Sequence, residues 1–537
     1  MPKIVIREID NTTAGGAAYE NFAVVVPGFV KEATEAVAAT ATTPAIPAWA
    51  PNMDVFDENG VYECKSQDAF FKNVGLIKPK EHKVANAAAP QRAKGWDDPK
   101  ALTAEEFDEE IKTGKLFVAE DNATKEIGEK KDEEYSYKYA SEGSKSTYVF
   151  ADTEGPHTLF MELDDVGHDI IYQDHYGNQI AYELLGMGYT VLYKLINSTE
   201  HLSQKTFWNP LKDKTMYDFR YLMSGLLKGN ADVYANMVSV AEFNSTSESH
   251  ALAPFDKVGV ELDGTFTHGR GDCIALLDID EDVYANSKQE DAIQAMLLFA
   301  KKIPNSKYAA AFAPSVKYNS GSLSEVNTFS NCWFPASFHY LACAARSSER
   351  YNEWYANAGY ARGISSYTID TVSCKFGEAA VNIFQRRSAF VENNVTRLSI
   401  AINPIINLRG TYYLWGNRTT FELGDPENGD LKASHFLNIR QLCSTIKKKV
   451  YVSCRQLTFN PNSDILWINF CNAIKPMLEK MKADQGIADY KISKVKSNRK
   501  AFMSAVIKIV PIEAVEDFDI SIHLEDSLEG VIATAEE

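Results

Sequence analysis

The chain of 537 residues has no run approaching the ~18 consecutive apolar residues that a membrane-crossing helix needs. Its first ten residues carry Arg7, Glu8 and Asp10 and no apolar stretch, so no secretory leader is expected. It also lacks an excess of basic residues. The formal net charge is -18, which argues against a nucleic-acid binder, because such a chain would bring like charges to the phosphates. Eight cysteines are present (Cys64, Cys273, Cys332, Cys343, Cys374, Cys443, Cys454 and Cys471), but none stands in a C-x-x-C pair or at zinc-like spacing from histidine. They read as reduced, buried small hydrophobes of a cytosolic product. Gly269-Arg270-Gly271 lacks the further glycine of a phosphate-binding loop.

What is present is ordinary globular material, 45% hydrophobic and 24% charged, long enough for several domains. Residues 3–9 have strand composition, with Ile4 and Ile6 on one face and Lys3, Val5 and Arg7 on the other. The chain from about 32 to 51 is rich in Ala, Thr and Pro and reads as a linker. Residues 52–160 mix short apolar patches with charge runs such as Glu129–Glu134, which suggests a separate, peripheral and irregular unit. From about Met161 the texture is α/β. Strands are expected at 189–196, 273–278 and 308–313, with a helix at 290–302 presenting Ile293, Met296, Leu297 and Ala300 on one side. Strand, helix, strand in that spacing predicts a parallel βαβ unit. Further on, Phe436, Ile439, Leu442, Cys443 and Ile446 fall at helical spacing. Leu466, Trp467, Phe470, Ile474, Leu478 and Met481 form a second stripe. Pro461 and Asp464 suit the start of this second helix and Gly486 its end, while Pro476 should kink it or end it early. Residues 519–525 alternate as a mixed-polarity strand.

One order of motifs is specific. Tyr412-Tyr413-Leu414-Trp415-Gly416-Asn417-Arg418-Thr419-Thr420 is followed by His435-Phe436-Leu437-Asn438-Ile439-Arg440. Phe459-Asn460-Pro461-Asn462 then leads to Leu466-Trp467. Upstream, Asp272 to Pro314 carries Cys-Ile-Ala-Leu-Leu-Asp and Tyr-Ala-Ala, and Phe334-Pro335-Ala336-Ser337 runs on through Arg346 to Gly359. This series resembles the conserved core of contractile tail sheath proteins of phages and related injection machines. The resemblance covers roughly residue 160 onward plus the N-terminal strand. Its family-motif residues are Trp415, Gly416, Arg418, Thr419, Asn438, Arg440, Phe459, Pro461, Asn462 and Trp467. Ala336 and Phe338 depart from the family pattern, which leaves the loop shape there open.

The resemblance implies an α/β and α+β multidomain protein: a subtilisin-like α/β middle domain, a C-terminal α+β sheath core domain, and strand arms at both ends. The expected division is an N-terminal arm over 1–30, a protruding domain over 31–160, the α/β domain over 161–365, the sheath core over 366–510 and a C-terminal arm over 511–537. It further implies a homo-oligomeric helical sheath around a tail tube, capped by baseplate and terminator proteins. The sheath would be built in the host cytoplasm and carried on the virion, and its contraction would drive the tube through an envelope. It implies no enzyme activity, no cofactor, no metal, no direct nucleic-acid contact and no membrane insertion. A sheath that never contracts, or one from a bacterial injection device, is the alternative within the class.

Two sets of residues then become candidates. The arms are Lys3, Ile4, Val5, Ile6 and Arg7, and Asp519, Ile520, Ser521, Ile522, His523, Leu524 and Glu525. Either they pair within their own subunit, as most strands do, or they add to a neighbour's sheet edge. Residues 511–537 hold nine acidic side chains and no Lys or Arg, which matches Lys3 and Arg7 across a strand pair. The second set lies in a basic island. Between Leu431 and Ser463 there are six basic residues and no acidic one, and Lys447, Lys448, Lys449, Lys475, Lys480 and Lys482 are candidates to face an acidic tube. A solvated helix face is the plainer reading of the same residues.

A subtilisin-like hydrolase is the enzymatic alternative. Its triad in chain order could be Asp278, His339 and Ser365 or Ser366, but no nucleophile signature surrounds either serine, and His339 reads as part of a core strand. Asp278-Ile-Asp280-Glu-Asp282 lacks the glycine and the closing glutamate of a calcium loop and reads as a polar connection.

Overall fold

The computed structural model describes residues 23–77 apart from 32 and 34–47, strands between 91 and 162, and 175–243 apart from 228. It also describes 269–319 apart from 286–287, and 333–514 apart from 386–388, 393–394, 399–400, 422–431 and 496–502. The arm candidates Lys3–Arg7 and Asp519–Glu525 lie outside the described residues, as does Cys332.

An eight-stranded mixed sheet organises the molecule. Its strands are β1 (Ala23–Gly28), β2 (Val61–Cys64), β3 (Thr190–Leu195), β4 (Tyr221–Leu222), β5 (Ile274–Asp278), β6 (Ala309–Ala313), β7 (Ile402–Leu408) and β8 (Thr411–Leu414). The spatial order is β8-β7-β6-β5-β4-β1-β3-β2. Strands β7 to β3 in that order run parallel, and β8 and β2 close the two edges antiparallel. Parallel strands are buried on both faces, so they read as continuous apolar runs rather than alternations. Ala23-Val24-Val25-Val26 and Cys273-Ile274-Ala275-Leu276-Leu277 are such runs, all buried.

Helices cover both faces. On one face, α3 (Ala231–Ala241) and α4 (Gln289–Ala300) bring Val233, Met237, Ile293 and Met296 against Val25, Leu222, Ala275 and Ala311. On the other, α1 (Gln67–Asn73), α2 (Gly177–Gly186) and α5 (Ala336–Ser348) bring Phe70, Ile180, Leu184, Phe338 and Leu341 against Val24, Val191, Ile274 and Phe312. The expected βαβ unit is present as β5-α4-β6, with β5 and β6 adjacent and parallel.

Several expectations need correction. Strand β1 falls within the segment read as an N-terminal arm, yet it sits between β4 and β3 inside the sheet. Strand β2 and helix α1 fall within the supposed peripheral unit, yet they pack on the same sheet and core. Strands β7 and β8 extend the sheet from beyond residue 366. The boundaries at 30, 160 and 366 therefore divide in sequence what backbone hydrogen bonds join. Part of the stretch read as irregular is also ordered: residues 91–92, 138–142, 145–152 and 155–162 form a separate four-stranded antiparallel sheet. His339 lies in helix α5, not in a strand; the run Phe338–Cys343 is short and buried all round, so it shows no period that would distinguish the two.

Toward the C-terminal end, α6 (Leu437–Leu457) and α7 (Asp464–Ala483) precede a two-stranded hairpin of β9 (Ile487–Val495) and β10 (Ser504–Pro511). These elements share their own small core of Leu442, Ile446, Phe470, Ile474, Leu478, Met481 and Ile487. Most of the second stripe foreseen in the sequence is thus the buried face of α7, with Trp467 half-buried beside it. Pro476 stands exposed inside α7 without ending it, since Ile474, Leu478 and Met481 are anchored on both sides of it. The left-handed turn after α7 falls on Gln485 (φ 59°), and Gly486 is needed for closeness instead: a Cβ there would meet the Trp354 indole at 2.9 Å.

Candidate assembly surface

The motif residues from Trp415 to Arg440 meet where β8 leaves the large sheet and α6 begins. Asn417 and Asn438 bond each other: the Asn417 amide donates to Asn438 Oδ1 at 2.8 Å, and the Asn438 backbone N–H donates to Asn417 Oδ1 at 3.1 Å. The Thr419 N–H donates to the His435 carbonyl at 2.8 Å, and its hydroxyl donates to that of Ser434 at 2.9 Å. Arg418 is buried with its guanidinium 4.5 Å from the Phe436 ring, and Arg440 lies 4.7 Å from the Tyr308 ring. Gln441 reaches the hydroxyls of Tyr221 (2.6 Å) and Tyr340. This is a polar joint locked inside apolar surroundings, and it fixes how α6 departs from the sheet. Buried polar groups of this kind cost stability unless paired, so their spacing in the sequence is tightly constrained.

Beyond that joint, α6 leaves the sheet. Its residues up to Ile446 are largely buried, whereas those from Tyr451 onward are mostly exposed. At the tip, Phe459 adopts a left-handed backbone (φ 68°) and is 97% exposed, and Pro461 and Asn462 are exposed too. These three motif residues are therefore surface features of the α6–α7 corner. Ser463 caps α7, its hydroxyl accepting from the Leu466 N–H. Trp467 stacks on Phe470, with ring centroids 5.6 Å apart.

The basic island divides into two kinds of residue. Lys447 is tied to its own chain: its ammonium donates to the Gly271 carbonyl at 2.8 Å and to the Tyr308 hydroxyl at 3.2 Å, and burial lowers its pKa to about 8. Lys448 pairs with Asp218 and lies 3.9 Å from Asp272. Lys449 is half-buried. On α7, Lys475, Lys480 and Lys482 are exposed, and Lys482 pairs with Asp489 at 3.0 Å. Lysines 447 and 448 thus bond within their own chain, while Arg455 on α6 and the three lysines of α7 are exposed.

The β9–β10 hairpin lies against α7 through Tyr490, Ile492, Ile507 and Ile509. Its other face shows Val506 (41% exposed) and Val510 (56% exposed) and the directly opposed pair Lys491 and Lys508. Among the described residues no third strand joins either edge. The composition of Lys491 and Lys508 gave no signal in the sequence; only the register makes them neighbours. A second exposed group was equally hidden. Tyr360, 66% exposed, packs edge-on against Tyr413 and Trp415, each with ring centroids 5.1 Å away.

The residues of the hydrolase alternative are dispersed among other partners. Asp278 accepts from the Ser337 backbone N–H at 2.8 Å and from its hydroxyl at 2.6 Å, and burial raises its pKa to about 7. His339 Nδ1 is 2.8 Å from the Tyr318 hydroxyl and its Nε2 is 3.4 Å from Cys343 Sγ, and burial lowers its pKa to about 3. The Ser365 hydroxyl donates to the Tyr367 carbonyl at 2.9 Å, and Ser366 is exposed. Asp280 caps a short helix, accepting from the Asp282 N–H. Arg270 and Asp272 form a buried ion pair at 2.9 Å. Burial alone would raise the Asp272 pKa, but Arg270 and Lys448 outweigh it and hold the carboxyl below its usual range. Of the cysteines, Cys64, Cys273, Cys343 and Cys374 are buried free thiols as expected, while Cys454 is exposed at the outer end of α6.

No known family profile matches the chain, and no curated protein matches its sequence. Solved structures do. Those similar to it include a chain of a baseplate, a chain of a contractile sheath complex and a sheath tail protein. A chain in the cryo-EM structure of the anti-feeding prophage baseplate aligns over 68% of this chain and 84% of its own, at 13% identity and a TM-score of 0.44. The sheath complex of an extracellular contractile injection system, in the contracted state, aligns over 66% and 86%, at 14% identity and a TM-score of 0.42. The sheath tail protein of Desulfitobacterium hafniense aligns over 94% and 100%, at 9% identity and a TM-score of 0.37.

Proposed function

We propose that the chain is a structural subunit of a tail sheath, polymerising as stacked rings around a tail tube and working by mechanical rearrangement rather than bond chemistry. The observation that carries this reading is the β9–β10 hairpin. Two strands alone are marginal in water, and here they are held by α7 with both edges open among the described residues. Such an edge is a receptor for strand addition. The chain carries two segments of donor type, residues 3–9 and 519–525. Addition of these arms from neighbouring copies to the hairpin would link subunits by main-chain hydrogen bonds while leaving the large sheet of each copy free to move as a unit.

The polar joint at Asn417 and Asn438 supports the same reading, because it holds the hairpin-bearing elements at a fixed angle to the large sheet. The exposed lysines of α7 supply weak, reversible attraction for an acidic tube wall. Baseplate and terminator proteins at the sheath ends, a virion location and tube penetration by contraction complete the proposal. The free energy of contraction would come from repacking of bistable interfaces summed over many copies. A subtilisin-like architecture for the α/β part is supported by its parallel sheet with helices on both faces. The dispersal of Asp278, His339 and Ser365 among separate partners supports a chain without peptidase activity.

The test is direct. The purified full-length chain, viewed by negative-stain microscopy, should form long striated hollow cylinders. A persistent monomer that turns over peptide or ester substrates would replace the proposal with the hydrolase alternative.

A further inference from the structure

Going beyond the sheath reading, and taking from it only that copies stand side by side, we infer that the aromatic ledge of Tyr360, Tyr413 and Trp415 is a docking seat for Pro44 and Pro47 of a second copy. The ledge is held from two sides. Gly359 takes a left-handed backbone (φ 78°) into the short helix Gly359–Arg362, and the Leu414 N–H donates to the Gly363 carbonyl at 2.7 Å. Gly363 lies so close to β8 that a side chain there would strike the Leu414 carbonyl. On the other side, Arg362 Nε donates to the Ala356 carbonyl at 2.7 Å, and its guanidinium lies 5.1 Å from the Tyr351 ring and 5.4 Å from that of Tyr355. Tyr360 is thereby set against both half-buried neighbours, Tyr413 and Trp415, with centroids 5.1 Å away in each case, yet it stays 66% exposed. Rings fixed in advance lose little freedom when something settles on them.

The sequence supplies the occupant. Pro44-Ala45-Ile46-Pro47 is the one place in the chain where two prolines stand three apart, and no charged residue occurs from 36 to 53. Proline fixes φ, and a polyproline II helix repeats every three residues at ~3.1 Å per residue, so the two rings fall on one side ~9 Å apart. Prolines in this spacing are what aromatic-lined surfaces recognise. Residues 34–47 lie outside the described residues, but the points where the chain leaves and returns are described, and they meet. The Lys31 ammonium lies 5.1 Å from the Trp49 ring, and the Lys31 N–H donates to the Val74 carbonyl at 3.0 Å. This base stands over β1 and β3, where the Tyr193 hydroxyl donates to the Phe29 carbonyl at 2.6 Å. The ledge is at the far edge of the sheet, five strand spacings from β1, or ~24 Å. Pro44 is only four residues before Ala48, ~14 Å at full stretch. A copy's own prolines therefore fall short of its own ledge, and the ledge is filled from a neighbour.

The test uses full-length receptor chains carrying Pro44→Ala with Pro47→Ala, so that no copy fills another's ledge, kept dilute enough that no polymer sediments. A fluorescently labelled peptide of residues 40–48 should bind them saturably by anisotropy. Tyr360→Ala in the receptor should weaken that binding about tenfold, the scale of losing one aromatic anchor. Tyr360→Phe keeps the ring and should bind as the parent receptor does. Circular dichroism should show unchanged folding in both, since Tyr360 is mostly exposed. A peptide with both prolines replaced by alanine should also bind about tenfold more weakly. No saturable binding, or equal binding by the Tyr360→Ala receptor, overturns the inference. Dilute wild-type monomer should take up the peptide as well as the receptor does. Binding about tenfold weaker there overturns the inference too, because a copy's own prolines then already cover its ledge. Wild-type cylinders decide the sheath reading separately, whatever the peptide does.

Discussion

At the scale of single residues, three buried titratable groups contribute to the response to acid in opposing directions. His175 and His339 are held neutral, with pKa values lowered by burial to about 4 and about 3. The unfolded chain binds protons at these histidines from about pH 6.5 downward and the folded chain does not. Their contribution to stability is present above pH 6.5 and is lost as the pH falls toward 4. Asp278 runs the other way. Its pKa is raised to about 7, so the folded state holds a proton that the unfolded state releases, and its contribution is present below the unfolded value of 3.8 and lost as the pH rises through 7. Asp278→Asn removes only the opposing contribution. Urea unfolding midpoints compared at pH 7 and pH 5 should therefore fall more steeply on acidification in the variant than in the wild type, and parallel behaviour would sink this account. The buried pair of Arg270 and Asp272 gives a second expectation. Asp272→Ala leaves the guanidinium without its carboxylate in a site where it also faces the Phe219 ring at 4.3 Å. The loss should be about 3–5 kcal/mol by chemical denaturation.

At the scale of elements, α7 is held by its stripe more than by its local propensity. Leu478 is fully buried at the centre of the small core, and Leu478→Ala should cost about 2–5 kcal/mol and loosen the hairpin that rests on the same cluster. Pro476 is the opposite case, an exposed residue that removes one helical hydrogen bond. Pro476→Ala should raise thermal stability by about 2 kcal/mol, the gain in the folded helix being offset in part by a freer unfolded chain. The stripe of α7 could be read from spacing alone, because a 3.6-residue period over twenty residues has few rivals. The assignment of Phe338–Cys343 to a strand failed for the converse reason. That stretch is buried all round, so it carries no period, and its helix is set by Pro335 at the cap and by the Asp278 carboxylate at its first turn.

At the scale of the whole molecule, the large sheet draws strands from residue 23 to residue 414. The hairpin at its far C-terminal end belongs to a different and smaller core. In the proposed sheath, that separation would leave the large sheet of each copy intact while neighbours joined the small one. Deletion of residues 1–10 should leave the circular dichroism spectrum and the unfolding midpoint unchanged, because β1 begins only at Ala23, while abolishing cylinders by negative-stain microscopy. Normal cylinders from the truncated chain would refute the linking role of the N-terminal strand.

Local order decided much of this protein before any tertiary contact: the strand-helix-strand passage from 273 to 313, the buried face of α7 and the acidic C-terminal segment all follow from period and composition. Tertiary pairing decided the rest. The valine run at 24–26 became a central strand because partners from residues 190–195 and 221–222 closed around it, and such partners have no local signature. In the same way Lys491 and Lys508 became one positive site only when the register of β9 and β10 set them face to face, since a charge acquires its neighbour through space and not through spacing in the chain.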